Sequence, residues 1–280
     1  MISWVLKPMQ FFLLLYFCLV FLACSKDVSL YNISNLNNNK VLVFGHGGMG
    51  YRNKLPMNTA ASVEECIQSG ADGVEVDLQM SSDGKLFFYH DNLLEDATDC
   101  AGAIAALSAE EISSCHYHKG RKKHNVLNAN DFFSQGKLQN RLIAFDCKPQ
   151  AGQPAEKFAH ALALLINRYT LEDVALVESH DINLLQLLKV KLPGAQTYLY
   201  CNNAAEAFAV QDSIGLSGFT IHMEKVNADQ VAEAHKKNLK VSLFGAGTEA
   251  ANLRALQLSP DHIQTDCLLH LLQVYSFRVE

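Results

Sequence analysis

The stretch GADGVEVDL, residues 70–78, decides the fold that this chain can adopt. It opens on small, turn-forming residues and continues into an apolar run without further glycine or proline, which predicts a β-strand over Gly73–Leu78. Glu75 and Asp77 stand two positions apart, so both carboxylates project from the same side of that strand. We therefore expect a buried strand that delivers two acids to one site.

The chain continues from residue 41 as an alternation of short apolar runs with longer amphipathic stretches. Several short runs are almost continuously hydrophobic, which is typical of parallel strands buried on both faces. The strand candidates are Val41–Gly45, Gly73–Leu78, Leu86–His90, Leu142–Cys147, Val174–Glu178, Gln196–Tyr200, Gly218–Ile221, Lys240–Phe244 and His262–Gln264. The helix candidates are Thr59–Ser69, Pro154–Arg168, Ile182–Lys191, Asn227–Asn238, Glu249–Leu256 and Leu268–Phe277. Asp181 and Asn227 are predicted N-caps.

Strand–helix units repeated this often predict an α/β fold, a single (β/α)8 TIM barrel over residues 41–280. The run Leu86–His90 follows an Asp83-Gly84 turn and is interpreted as an extension of the second strand. The alternative is a doubly wound open sheet, but no Gly-rich dinucleotide-binding turn follows the first strand. No linker divides residues 41–280 into two domains.

Polar side chains follow or end several of these strands, and in a parallel barrel those ends meet at one mouth. The residues expected there are His46, Glu75, Asp77, His90, Asp146 and Lys148. Three carboxylates repel one another, so one hard divalent cation, Mg²⁺ or Ca²⁺, is their natural complement. Such a site suits a phosphoryl group, with the histidines as general base and acid and the lysine stabilising developing charge.

The order and spacing of short motifs support the same interpretation. The motifs are His46-Gly47-Gly48, Asn58-Thr59, residues 70–77, Asp83-Gly84, His90-Asp91 and PDHIQTD at 260–266. This pattern resembles the signature of the glycerophosphodiester phosphodiesterase family, most densely over residues 41–98. The resemblance implies the same barrel and the hydrolysis of a glycerophosphodiester to glycerol 3-phosphate and an alcohol.

The resemblance also implies a role for individual residues. The matched positions are catalytic His46 and His90, metal ligands Glu75, Asp77 and Asp146, and substrate-binding Lys148, Gly47 and Phe244. The expected cofactor is one divalent cation, Mg²⁺ or Ca²⁺, and the expected partner is a small-molecule phosphodiester.

Four positions depart from the family pattern. Gly47 stands where an Arg usually contacts phosphate, and Met57 stands where Glu precedes Asn-Thr. Asp146 replaces a Glu, and Phe244-Gly245 replaces a late Trp-Thr pair. Because the histidines, the acids and the lysine are kept, we expect catalysis with an altered substrate preference; weakened or lost activity is the alternative.

The overall charge limits the partners. The chain has a formal charge of −6, whereas a protein that binds nucleic acid normally carries a basic face. We therefore expect no nucleic-acid partner.

The N-terminus has the pattern of an export signal. Lys7 precedes the apolar run Phe11–Ala23, which is shorter than the roughly 20 residues of a bilayer span. Ala23-Cys24 ends it and resembles a bacterial lipobox. We predict a signal peptide over 1–23, lipidation at Cys24, a flexible tether over 24–40 and attachment to a membrane of the bacterial cell envelope. An uncleaved anchor or a plain secretory peptide is the alternative.

The cysteines are consistent with an oxidising compartment. Cys100 and Cys115 bracket a short segment and form the best candidate disulfide. Cys66, Cys147 and Cys201 stand singly in strand-like or helix-like runs, so we expect buried free thiols there.

Isolated polar residues are interpreted more cautiously. Asp91 is expected to orient a neighbouring group or to cap a turn, and His180 and His222 follow strands that lead to the mouth. His116, His118, His124, His160 and His235 show no ligand spacing and are expected on the surface.

Two other functions stay open. A phospholipase D of the sphingomyelinase D type shares the barrel, the paired histidines and an Asp-x-Lys pattern like Asp146–Lys148. A lipid-tethered protein that binds phosphodiesters without cleaving them is the second, supported by the missing Arg.

Overall fold

The computed structural model describes residues 31–138 and 140–276. The predicted signal peptide 1–23, the predicted lipidation site Cys24 and the predicted end of the last helix at Phe277 lie outside these residues.

Eight parallel strands close into a barrel. The strands of the described chain are β1 (Leu42–Gly45), β2 (Gly73–Met80), β3 (Leu86–Phe88), β4 (Leu127–Asn128), β5 (Leu142–Cys147), β6 (Ala175–Ser179), β7 (Gln196–Tyr200), β8 (Gly218–His222), β9 (Lys240–Ala246) and β10 (His262–Thr265). Closure follows because β1 pairs in parallel with both β2 and β10. The short strands β3 and β4 extend β2 antiparallel, outside the ring. The predicted (β/α)8 barrel is confirmed.

Helices connect the strands and cover the barrel. They are α1 (Ala60–Gln68), α2 (Ala109–Ser113), α3 (Ala129–Ser134), α4 (Ala155–Arg168), α5 (Ile182–Lys191), α6 (Ala204–Ile214), α7 (Ala228–Lys236), α8 (Glu249–Gln257) and α9 (Leu268–Ser276). The predicted N-caps are confirmed, since the Asp181 side chain accepts from Leu184 N–H and the Asn227 side chain from Gln230 N–H.

The helix α6 is missing from the prediction. Its sequence AAEAFAVQDSI buries only Ala204, Ala207 and Ile214, so the apolar pattern that marks an amphipathic helix is weak. Both ends nevertheless carry helix signals. Asn203 caps the first turn, and Gly215 ends the helix in the left-handed conformation at φ 70°.

An insertion, residues 89–126, stands beside the mouth. The predicted strand Leu86–His90 ends at Phe88, and the chain then forms short turns, α2 and a separate apolar cluster before β4. The predicted Cys100–Cys115 disulfide joins two parts of this insertion. Cys66, Cys147 and Cys201 are free and buried, as expected.

The segment 31–40 packs under the floor of the barrel, where the strands begin. Ile33 is buried in the main core. The side chain of Asn35 donates to Pro260 C=O at 2.8 Å, and Leu36 N–H donates to Asp261 Oδ1 at 2.8 Å. The prediction of a flexible tether is therefore wrong for this part, because its polar side chains bond to the loop before β10. Within the described ranges, no helix is long and apolar enough to cross a bilayer.

Candidate active site

Three buried carboxylates lie close together at the mouth. Glu75 and Asp77 project from one side of β2, and Asp146 lies on β5 directly beside Asp77 in the parallel register. One oxygen of each carboxylate lies within 4.8 Å of the other two. Each residue is at most 8% exposed. The acids that were predicted to share an ion are brought together.

Burial and mutual repulsion disfavour the charged form of two of these acids. The pKa of Asp146 rises to about 6, because burial and the charge of Asp77 outweigh the attraction of Lys148. The pKa of Glu75 also rises well above its usual range, through burial and then Asp77. Burial also acts to raise the pKa of Asp77, but Lys148 and the two histidines lower it overall. The trio therefore holds negative charge that a cation would stabilise.

Lys148 holds its ammonium group against the same carboxylates. Its Nζ lies 2.5 Å from Asp77 Oδ1 and 3.4 Å from Asp146 Oδ2. Burial lowers the pKa of the lysine, but these acids raise it more, so the group stays charged. Contact between Lys148 and substrate stays a prediction.

His46, directly after β1, is held by two acids. Its Nδ1 lies 2.9 Å from Asp266 Oδ1, and its Nε2 lies 3.9 Å from Glu75 Oε2. Burial opposes protonation, but the hydrogen bond to Asp266 and the charge of Glu75 raise the pKa of His46 to about 10. The Asp266 contact therefore fixes the ring and favours its charged form.

His90 stands at the start of the insertion, where β3 has ended. Its Nδ1 lies 2.7 Å from Asp91 Oδ1, and its side chain is 56% exposed. The expectation that Asp91 orients a neighbour is confirmed. In both histidines an aspartate occupies Nδ1, which leaves Nε2 as the atom that can exchange a proton.

Gly47 positions a carboxylate through its backbone. Its N–H donates to Glu75 Oε2 at 2.9 Å. The residue has φ +56°, and a Cβ there would lie 2.5 Å from the Cε of Met57. The departures at positions 47 and 57 are therefore coupled, because the methionine occupies the space beside the glycine. The expected contact of Gly47 with substrate is not tested by these contacts.

Asn58 fixes the second acid of the trio. Its side-chain NH₂ donates to Asp77 Oδ2 at 2.7 Å, and its Oδ1 accepts from Asp77 N–H at 3.0 Å. It adopts a positive φ of 62°, which Asn tolerates better than most residues. The sequence motif contains this residue, but its role becomes visible only in the structure.

A row of aromatic rings borders the mouth on the side of β6 to β9. The ring centroids of His180 and Tyr200 are 4.0 Å apart, those of Tyr200 and Phe244 are 5.0 Å apart, and those of Phe244 and His222 are 5.1 Å apart. His180 and His222 thus reach the mouth, as their positions after strands suggested. Substrate contact by Phe244 stays a prediction.

Sequence reasoning assigned no role to two further acids of the site. Asp266 follows β10 and holds His46, whereas Glu178 is buried in β6 and accepts two hydrogen bonds from the Gln264 amide, at 2.7 and 2.9 Å. Burial, opposed by Gln264, raises the pKa of Glu178 to about 7. Both acids stand at the carboxyl ends of strands. The expectation that polar side chains at these ends meet at the mouth, which identified the trio, would therefore also have identified them.

A cavity of about 530 Å³ opens beside these residues. His46 and Asn58 border it from the barrel, and His90 borders it from the start of the insertion. Tyr117, His118 and Lys119 line it from the insertion. The two histidines therefore share one cavity, and the insertion supplies much of its lining.

Comparisons with known proteins agree with this geometry. The model of the "Glycerophosphoryl diester phosphodiesterase family" matches residues 47–269. A glycerophosphodiester phosphodiesterase of Bacillus altitudinis is 36% identical over 70 residues, which cover 25% of this chain and only 28% of that protein. The uncharacterized protein YqiK of Bacillus subtilis is 23% identical over 216 residues, covering 72% of this chain and 83% of its own length.

Solved structures show the same fold. A phosphodiesterase of Oleispira antarctica, in complex with the product sn-glycerol-3-phosphate, has a TM-score of 0.74 at 21% identity and covers 84% of this chain and 96% of its own. A glycerophosphodiester phosphodiesterase of Parabacteroides distasonis has a TM-score of 0.73 at 18% identity, with 86% and 98% covered. With the family match across most of its length, the chain belongs to the glycerophosphoryl diester phosphodiesterase family.

Proposed function

We propose that this protein hydrolyses glycerophosphodiesters to glycerol 3-phosphate and an alcohol. The observation that carries the proposal is the buried trio Glu75, Asp77 and Asp146 beside two histidines that share one cavity. The activity for which relatives such as the Bacillus altitudinis enzyme are named agrees with this proposal. The product bound in the Oleispira antarctica structure supports glycerol 3-phosphate as one half of the substrate.

The trio would hold one divalent cation, Mg²⁺ or Ca²⁺. Its donor set is all carboxylate oxygen, which hard cations prefer. The raised pKa of Asp146 reflects burial and then repulsion by Asp77, and a cation would offset both. When bound, the ion supplies charge that neutralises phosphoryl oxygens. Lys148 adds a second positive charge beside the same acids.

The two histidines would move the protons of the reaction. The Asp266 contact favours the protonated form of His46, which suits a donor to the leaving alcohol oxygen. Asp91 holds His90 Nδ1, so its Nε2 is available to accept a proton from the attacking oxygen. The attacking oxygen forms a bond to phosphorus as the bond between phosphorus and the alcohol oxygen breaks. The alcohol oxygen takes the proton from His46, so the alcohol leaves as a neutral molecule.

An altered preference among diesters follows from the environment of Gly47. Without an Arg side chain, position 47 offers no bidentate phosphate donor. Met57 gives the adjacent cavity wall an apolar surface. We therefore expect the alcohol half of the substrate, held by the cavity, to contribute more to recognition.

We also propose export and lipid attachment at Cys24. The Cys100–Cys115 disulfide supports an oxidising compartment. Because residues 31–40 pack under the floor, an anchor at Cys24 would join the barrel at the end opposite the mouth. Labelling with radioactive palmitate tests this proposal: the label is expected on the wild type and not on Cys24→Ser, and equal labelling of both would contradict it.

A product assay tests the activity. Purified protein with glycerophosphocholine and Mg²⁺ or Ca²⁺ is expected to release glycerol 3-phosphate, and EDTA is expected to stop the reaction reversibly. His46→Ala and His90→Ala should each lower kcat by roughly 10²-fold or more without changing the fold. Release of choline from lysophosphatidylcholine, without turnover of glycerophosphocholine, would favour the sphingomyelinase D type of activity. Diester binding without any product would favour a binding protein.

A further inference from the structure

A cluster of cations borders the same cavity. Residues 118–123, named here the basic loop, read His-Lys-Gly-Arg-Lys-Lys. His118 and Lys119 line the cavity together with His46 and His90. The rest of the loop continues outward from this wall and is exposed.

The basic loop is held in place at both ends. Tyr117 N–H donates to His124 C=O at 2.8 Å, and His118 N–H donates to Ala97 C=O at 2.9 Å. Lys119 Nζ donates to Tyr51 C=O at 2.6 Å, which ties the loop to the segment after β1. The Cys100–Cys115 disulfide closes the chain just before the loop. These contacts keep the cations beside the mouth.

Asp91 and Asp96 also line the cavity, but neither forms an ion pair with a cation of the basic loop. No Asp or Glu occurs from Ile112 to Asn130. In the described parts of the chain, no carboxylate oxygen lies within 4.0 Å of the side-chain nitrogens of the four cations, Lys119, Arg121, Lys122 and Lys123. The whole chain carries −6, so the remainder carries −10. The loop is therefore a local positive field on an acidic protein.

We propose that the basic loop recognises the alcohol half of the substrate and selects diesters whose alcohol carries negative charge over those whose alcohol carries a quaternary ammonium. This inference rests on the proposed function, because it assigns the cavity wall opposite the barrel to the leaving group. The cation held by the carboxylate trio would bind the phosphoryl group together with Lys148, which leaves the alcohol to face the insertion.

Two other anionic partners fit the structure less well. The backbone of a nucleic acid is anionic, so it would be repelled by the rest of this protein, which is acidic outside the loop. An anionic lipid surface would require the mouth to face a membrane, whereas residues 31–40 join the barrel at its floor. A small soluble diester needs neither an extended basic face nor a particular orientation.

The size of the effect follows from exposed charges in water. At separations of about 7–10 Å and moderate salt, each pair of unit charges changes affinity by roughly 1.5- to 2-fold. Two cations acting on an alcohol with two negative charges form four such pairs and should therefore contribute about fivefold to sixteenfold. The same cations repel the positive charge of a choline group. The ratio of the kcat/KM values of the two substrates therefore responds more strongly to the charge of the loop than either value alone.

The test uses three diesters of graded charge, in which the alcohol is choline, glycerol or inositol 4-phosphate. The variant Lys122→Gln/Lys123→Gln is compared with Lys236→Gln/Lys237→Gln, which removes the same charge at the end of α7, at the floor. We expect the first variant to lower the kcat/KM ratio of the inositol phosphate diester to the choline diester by about tenfold. The control should leave the ratio unchanged, and 0.5 M salt should abolish the difference.

The outcomes separate this proposal from the proposed function. The role of the loop would be overturned if the kcat/KM ratio of the inositol phosphate diester to the choline diester were equal in the two variants. A wild type that prefers the choline diester would overturn it as well. Loss of binding to vesicles containing phosphatidylglycerol, with an unchanged ratio, would assign the loop to a lipid surface instead. Equilibrium binding of the same diesters to His46→Ala repeats the comparison without turnover. Loop-dependent selectivity in this binding assay, together with a wild type that turns over no diester, would sink the proposed hydrolysis and leave the selection standing.

Discussion

Each of the two histidines depends on an aspartate that the resemblance left without a role. Asp266 approaches His46 from β10, at the other side of the first strand from the trio, and Asp91 follows His90 directly. An aspartate at Nδ1 fixes both the tautomer and the orientation of an imidazole. The proton-transfer geometry is therefore set by residues that contact the histidines and not the substrate.

Replacing Asp266 tests this dependence. Asp266→Asn keeps the shape of the contact but removes its charge, so the pKa of His46 should fall from its raised value of about 10. A lower pKa leaves less protonated His46 at high pH, and the alkaline limb of kcat/KM should move to lower pH. We expect kcat to fall by roughly 10²-fold.

Asp212→Asn, on the exposed surface of α6, is the matched control for this change. A pH profile of Asp266→Asn that superimposes on that of the wild type would show that Asp266 does not act through His46.

The buried charge of the trio lowers the stability of the metal-free protein. The pKa of Asp146 is about 6 in the fold against an ordinary value of 3.8. A raised pKa contributes stability that is fully present below about pH 4 and is lost as the pH rises through about 6. At neutral pH the charged form therefore destabilises the metal-free protein.

Asp146→Asn should consequently stabilise the metal-free protein at pH 8 while lowering activity. We expect a gain on the order of 1–3 kcal/mol in the free energy of unfolding, measured by urea denaturation in EDTA. The gain should shrink towards pH 4, where the wild-type carboxyl is protonated. A variant that is less stable than the wild type at pH 8 would mean that the contact with Lys148 outweighs burial.

At the scale of elements, the apolar pattern of the sequence predicted the elements that bury many large side chains. It missed the elements that bury few. The strand Gly73–Met80 is buried along its whole length, so its apolar pattern was clear and its two acids stood out. The helix α6 buries few large side chains, and its pattern was lost although Asn203 and Gly215 mark its ends. The segment 31–40 reads as a polar linker because its contacts are hydrogen bonds to the distant loop at Pro260 and Asp261.

The insertion was not predictable as an element for a related reason. Its apolar cluster combines residues spread over 87–126, with short turns in place of long periodic segments. The Cys100–Cys115 pair was the one local signal, and the structure confirms it.

The disulfide should stabilise this insertion more than the barrel. It closes a loop with a sequence separation of 15 residues, for which chain entropy predicts roughly 3 kcal/mol. Cys100→Ser/Cys115→Ser should therefore increase proteolytic cleavage within 89–126 and raise KM, because the wall with Tyr117 and Lys119 loosens. Limited proteolysis with mass spectrometry measures the cleavage.

Cys267→Ser removes a free thiol and serves as the control for the disulfide variant. Unchanged cleavage and KM in the double variant would show that the hydrogen bonds and the apolar cluster of the insertion hold it without the disulfide.

On the scale of the whole molecule, closure of the barrel is what turns separate motifs into one site. The site combines four strands, β1, β2, β5 and β10, which supply His46, Glu75, Asp146 and Asp266 from within the strand or from the residue directly after it. His46 and Asp266 are 220 positions apart in sequence. They meet because β1 pairs with both β2 and β10, so the first and last strands are neighbours. The fold and the trio could be inferred from the order of strands, but the pairing of Asp266 with His46 needs the closed ring.

Closure also separates the two ends of the molecule. The mouth collects the trio, the histidines and the basic loop, whereas the floor receives residues 31–40. Chemistry and chain entry therefore lie at opposite ends, which lets the N-terminal segment vary without disturbing the site.

The three carboxylates of the trio are expected to hold a single divalent cation. Anomalous diffraction from a crystal soaked in Mn²⁺, which takes the same oxygen ligands as Mg²⁺, tests it directly. We predict one strong peak at about 2.0–2.6 Å from oxygens of Glu75, Asp77 and Asp146, and no such peak in Glu75→Gln crystals. An active protein whose crystals show no peak between these three acids would contradict the account.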